Sequence, residues 1–129
     1  VDTPVIANGD IDSEMKARKV LQQTGAAAIM IGRAAQGRPW LANQIDFYLQ
    51  SGKFKKNPEL GEIKALLVTH LSNLSSFYGE VMGPRIARKH VGWYFESLSD
   101  TQVDKSFLKK FNGLQDLASQ IRAIEAVFK

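Results

Sequence analysis

Cysteine is absent from the 129 residues, and histidine occurs only twice. Without thiols the chain can form no disulfide, no thiolate nucleophile and no cysteine-ligated metal site. Two scattered histidines with no carboxylate at ligand spacing argue against a bound metal. Long apolar runs are missing too. None approaches the roughly 18 residues that span a bilayer, and no charged leader precedes an apolar core, so the expectation is a cytoplasmic chain with no membrane partner. Charge of one sign is also scarce, since 17 Lys plus Arg against 13 acids leave a net charge of +4. That balance by itself predicts no polyanionic partner. Redox chemistry in such a chain would need a borrowed cofactor.

What is present suffices for one ordinary domain or two small ones, with 44% of residues hydrophobic. Val1 to Pro4 run at once into a strand-like stretch, as expected of a segment within a larger protein. Residues 4–8, PVIAN, read as a short strand closed by the loop signal Asn8-Gly9-Asp10. Asp12 is placed to cap a helix whose Ala17, Val20, Leu21 and Thr24 recur at helical spacing until Gly25 stops it. The unbroken run AAAIMI, between Gly25 and Gly32, predicts a parallel strand buried on both faces, and Leu41 to Gln50 a second helix closed by Ser51-Gly52. Strand, helix, strand and helix with short joins make a βαβα unit. Two strands cannot cover themselves, so their partners are expected upstream of Val1 or from another chain, and an isolated piece is expected to self-associate.

The composition then shifts. Residues 1–52 form the α/β part, the basic stretch 53–58 is a linker ending in Pro58, and 59–129 read as all-helical. From Glu59, residues Ile63, Leu66, Leu67, His70, Leu71, Leu74, Phe77 and Tyr78 form one apolar stripe, ended by Gly79. A second helix is predicted to start near Gly83-Pro84 and to carry Ile86, His90, Trp93 and Tyr94 on one side. Val103, Phe107 and Phe111, then Leu114, Leu117, Ile121, Ile124 and Phe128, supply two more stripes. Four helices with short joins predict a small antiparallel bundle.

Two features carry chemistry. The run GRAAQGRPW, residues 32–40, follows a strand directly. A helix beginning there offers free N–H groups and partial positive charge to an anion; Gly32 lets the backbone approach, and Arg33 can add a bidentate guanidinium. In (β/α) barrels a phosphate is often held by the loops after the last two strands, and Asn8-Gly9-Asp10 with Gly32-Arg33 fit that pair. From the pattern alone, Gly9 and Gly32 fit plain turn glycines equally, and Arg33 a solvated charge. On the helix from Pro84, Arg85, Arg88 and Lys89 fall at i, i+3 and i+4. They can track phosphates, or form a solvated face paired with Glu96 or Asp100. Trp93 and Tyr94 read as core, with base stacking as the alternative, His70 as a hydrogen-bonded interior residue, and the other lysine groups as solubilising charge or peripheral RNA contacts.

PVIANGDI, GAAAIMIGRAAQGRPW and RIARKHVGWY together resemble the C-terminal part of the bacterial tRNA-dihydrouridine synthases, most closely their B-type, over essentially the whole chain. The resemblance implies the last two βα units of a flavin-binding (β/α)8 barrel followed by a helical tRNA-binding domain. It implies FMN held by Asn8, Gly9, Asp10, Gly32 and Arg33, with the last two at its phosphate, NADPH as reductant, and tRNA as partner through Arg85, Arg88, Lys89 and His90. It also implies an intact protein that is a monomer, and a cysteine that protonates the uracil ring. This chain has no cysteine, so by itself it is expected to be inactive. An RNA-binding module with a non-catalytic α/β scaffold, and a flavin dehydrogenase of small pyrimidines, stay open as alternatives.

Overall fold

The computed structural model describes residues 2–99 and 102–128. The chain divides into two compact units, Val1–Asn57 and Pro58–Lys129.

In the first unit β1 (Ile6–Asn8) and β2 (Ala28–Met30) pair in parallel with Asn8 beside Met30. Between them runs α1 (Glu14–Thr24); a three-residue 3-10 turn, Arg33–Ala35, and α2 (Leu41–Ser51) follow. The cap of α1 is Ser13, one residue past the predicted Asp12, because the Ser13 hydroxyl is the group that accepts the Lys16 amide, at 3.2 Å. Both helices end on left-handed glycines, Gly25 (φ 64°) and Gly52 (φ 73°), whose amides close the last turn. Ile11, Ala17, Leu41 and Ile45 form the core, with Val20, Ile29, Ile31, Ala34 and Leu49 against it. Burying each large side chain contributes about 1.5–3 kcal/mol.

β2 differs from the expectation of burial on both faces. Ile29 packs inward, whereas Met30, Val5 and Ile6 are more than half exposed. Within this unit α1 packs against both strands, and a sheet of only two strands leaves the other side chains to water. The basic stretch after α2 folds back on that helix: Phe54 packs on Tyr48 at 4.7 Å, and Gln44 donates to Asn57 Oδ1 at 2.9 Å.

The second unit is built on α3 (Leu60–Glu96), which breaks at Gly79. There φ is 93° and ψ 175°, a combination essentially reserved for glycine. Arms 60–78 and 80–96 result, so the second begins one turn before the predicted Gly83-Pro84. Pro84 sits where its missing N–H opposes only the first carbonyl of that arm. The arms run antiparallel, since His70 meets His90 at 4.6 Å between ring centroids, and a Cβ on Gly83 would lie 2.5 Å from Ser75 Cα. Ile63, Leu67 and Leu71 are buried along one arm, and Ala87, Val91, Tyr94 and Phe95 along the other. Leu66, Phe77 and Tyr78, expected in the same stripe, are exposed.

A short α4 (Phe107–Phe111) and α5 (Leu117–Val127) complete the unit. Phe95 stacks on Phe107 and meets Phe128 edge-on, while the buried Gln120 amide donates to the Pro84 carbonyl at 2.9 Å. Contacts 84 to 120 and 95 to 128 ascend together, so α5 runs in the same sense as the second arm. α5 is thus antiparallel to the first arm of α3 and parallel to the second. The chain returns along the hairpin between 97 and 116 before α5 begins, as the bond from Arg88 to the Leu114 carbonyl records.

Candidate phosphate site and cation face

The parallel register places the exits of both strands side by side. Asn8, Gly9, Asp10, Ile11, Gly32, Arg33 and Ala34 consequently line one concavity of about 220 Å³. All five residues predicted at the strand tips are brought together. Gly9 (φ 141°) supplies a turn that a side chain resists, and Asp10 takes the left-handed region at φ 48°, which aspartate tolerates better than most residues.

Arg33 donates from Nη2 to Asp10 Oδ1 at 2.6 Å. Both side chains are largely exposed, 82% and 68%, so the pair contributes only about 0–1 kcal/mol to stability. Its effect is to aim the guanidinium, whose remaining N–H donors stay available for an anion. The predicted helix N-terminus is corrected here to the three-residue 3-10 turn, too short to carry a helix dipole. Ala35 N–H bonds the Gly32 carbonyl to close the first turn, so the amides of Arg33 and Ala34 precede the ladder and point away from it. The Arg33 guanidinium and the backbone of Gly32, Arg33 and Ala34 therefore border the same concavity. The concavity is below the 300–1,000 Å³ typical of whole-ligand pockets and matches a phosphate end rather than a ring system.

On the helical unit the predicted cations separate. Arg85 and Lys89 are exposed and pair with no described carboxylate; Asp100, one proposed partner, lies outside the described residues. Arg88 is placed differently from these two. It is half-buried and donates to the Leu114 carbonyl at 3.1 Å, and its Nε is buried without a partner. Its position on the helix matches its neighbours', but α5's approach covers it. His90 is likewise engaged inside the hairpin, half-buried between His70 and Trp93, the latter 5.1 Å away. His70 Nδ1 lies 3.3 Å from Tyr94 Oη. Burial holds the His70 imidazole below its ordinary pKa; burial, then the charges of His70 and Lys89, do the same to His90. Burial raises the Tyr94 phenol.

Periodicity also missed the ion pair of Asp10 and Arg33, for which opposite charges on two strand-tip loops were the only signal. Among the described residues no three metal-ligating side chains cluster, and no helix is long and apolar enough to cross a membrane.

The profile of the family described as dihydrouridine synthase (Dus) matches residues 1–129. The chain is 51% identical over 128 residues to tRNA-dihydrouridine synthase B of Pseudomonas aeruginosa, covering 99% of this chain and 38% of that protein. It is 50% identical over 129 residues to the protein of the same name from Salmonella typhimurium, and 49% identical to that of Escherichia coli K12, in each case over all of this chain and 39% of the relative. The chain thus spans about two fifths of the length of these curated relatives. With the family profile matched from the first residue to the last, it belongs to the dihydrouridine synthase family.

Proposed function

We propose that this chain carries the flavin-phosphate site and the RNA-binding helices of an FMN-dependent, NADPH-driven reductase that converts uridine to dihydrouridine in tRNA. In this reading residues 1–52 are the last two βα units of a (β/α)8 barrel, whose other strands cover the open face of β1 and β2, and residues 59–129 bind tRNA. The observation that carries it is the single concavity formed by Asn8-Gly9-Asp10 and Gly32-Arg33, with the Arg33 guanidinium aimed by Asp10 at 2.6 Å.

When bound, the flavin supplies hydride to the uracil C5=C6 bond. The residues of this chain bind and orient. Gly32 would admit the phosphate to the backbone, the amides of Arg33 and Ala34 would donate hydrogen bonds to it, the guanidinium would offset part of its charge, and Asp10 holds the guanidinium in place. The cysteine that the family resemblance implies as proton donor is absent from these 129 residues, which assigns that role to another part of the protein. Arg85 and Lys89 supply phosphate contacts away from the reacting base, which an enzyme acting on a base in folded RNA needs.

The test is a titration of relative-length protein with FMN and with tRNA. Wild type is expected to bind one flavin, and Arg33→Ala to lose it; Arg85→Ala and Lys89→Ala are each expected to lower the salt slope of tRNA binding by about one. Undiminished FMN affinity in Arg33→Ala refutes the site. A protein that binds tRNA but no FMN is the RNA module on an α/β scaffold, and one that binds FMN but no tRNA is a reductase of small pyrimidines.

A further inference from the structure

The break in α3 leaves an apolar tip in water. Phe77 is 83% exposed, Val81 63%, Tyr78 49% and Met82 46%. The tip is held stiffly. Phe77 and Tyr78 lock edge to face with centroids 4.9 Å apart, Gly79 fixes the bend, and directly behind it Gly83 lies against the Ser75 backbone. A second observation extends the patch. Val81, Arg85 and Lys89 follow one another at i+4, all exposed, so that an apolar end continues into a line of cations whose Cβ atoms are about 5–6 Å apart. Glu80, the acid at the bend, is one residue and so about 100° off this line.

Rings that pack on each other in water, on the same hairpin as two exposed cations with no described carboxylate partner, suit a nucleic-acid strand with an unstacked base: the rings take the base and the cations its neighbouring phosphates. An apolar protein surface would cover Val81 and Met82 but leave Arg85 and Lys89 unmatched. We propose that Phe77 and Tyr78 form a stacking platform for an unstacked base of tRNA, in register with phosphates held by Arg85 and Lys89. The platform rests on the tRNA reading given above and adds to it a contact that reads base exposure rather than charge.

The experiment uses relative-length protein and an unmodified tRNA transcript. Phe77→Ala and Tyr78→Ala are each expected to weaken binding about 5- to 100-fold, with the salt slope unchanged because stacking displaces no counterions. Phe77→Trp is expected to bind like wild type, with its fluorescence quenched as tRNA is added. If wild type binds no tRNA, the tRNA reading fails and the platform with it. If wild type binds and the alanine variants bind equally well, the platform alone is overturned. A loss of thermal stability or of FMN occupancy in Phe77→Ala, with tRNA affinity retained, also overturns it, because the tip is then covered by the protein itself.

Discussion

Replacing Gly83 by alanine isolates what holds the α3 hairpin together. In an open helical position the change stabilises by up to about 1 kcal/mol, because alanine is the better helix former. At Gly83 the added Cβ would meet Ser75 Cα at 2.5 Å and Ser75 N at 2.9 Å. These are backbone atoms, so rotating a side chain offers no escape and the arms must separate. Overpacking of this kind costs about 1–3 kcal/mol or more. The costs exceed the gain, and the expected outcome is a net loss of about 1–2 kcal/mol. For a unit of this size that is roughly 4–8 °C of Tm per kcal/mol. Gly92 provides the control, since a Cβ there has nothing within 4 Å. Gly92→Ala is expected to raise stability where Gly83→Ala lowers it, both followed by helical circular dichroism in urea. Adding Ser75→Gly should give no rescue, because the closest atom is the Cα. A Gly83→Ala protein as stable as Gly92→Ala would refute the close approach of the two arms and the stiff tip that depends on it.

Arg88→Ala is expected to cost about 1 kcal/mol by removing the hydrogen bond to the half-buried Leu114 carbonyl, with the salt slope of tRNA binding kept; the opposite result returns Arg88 to the RNA surface. His70 and His90 both have folded pKa values below the unfolded 6.5. Unfolded chains then bind protons first, so stability is fully present above about pH 6.5 and falls as pH drops below it. Urea midpoints at pH 7.5 and 5.5 check this, and His90→Gln should flatten the dependence. Asp10→Asn is expected to change unfolding free energy by less than about 1 kcal/mol, because the pair is exposed, yet to weaken FMN binding by releasing Arg33; a larger stability loss would make the pair structural.

Short-range features were legible in the sequence. Gly25 and Gly52 end their helices as read, because a left-handed stop depends only on the local chain. The strand tips were legible for a related reason: a parallel βαβ unit brings successive strand exits to one edge, whatever covers the sheet. Capping by Ser13 instead of Asp12 slipped by one residue, since either side chain has the right chemistry and only the backbone decides which one reaches the Lys16 amide.

Sequence alone determined the chain's chemistry: no thiols, glycines and an arginine where strands end, and a helix bearing three cations. Tertiary structure decided which of these groups face water. Arg85, Arg88 and Lys89 have equivalent spacing, but the Leu114 carbonyl, 26 residues further on, claims Arg88. Phe77 keeps the period of the core stripe yet falls at the end of the hairpin, where it is exposed. Helical period fixes a direction around one axis, whereas burial depends on where distant segments arrive, and no local pattern encodes that.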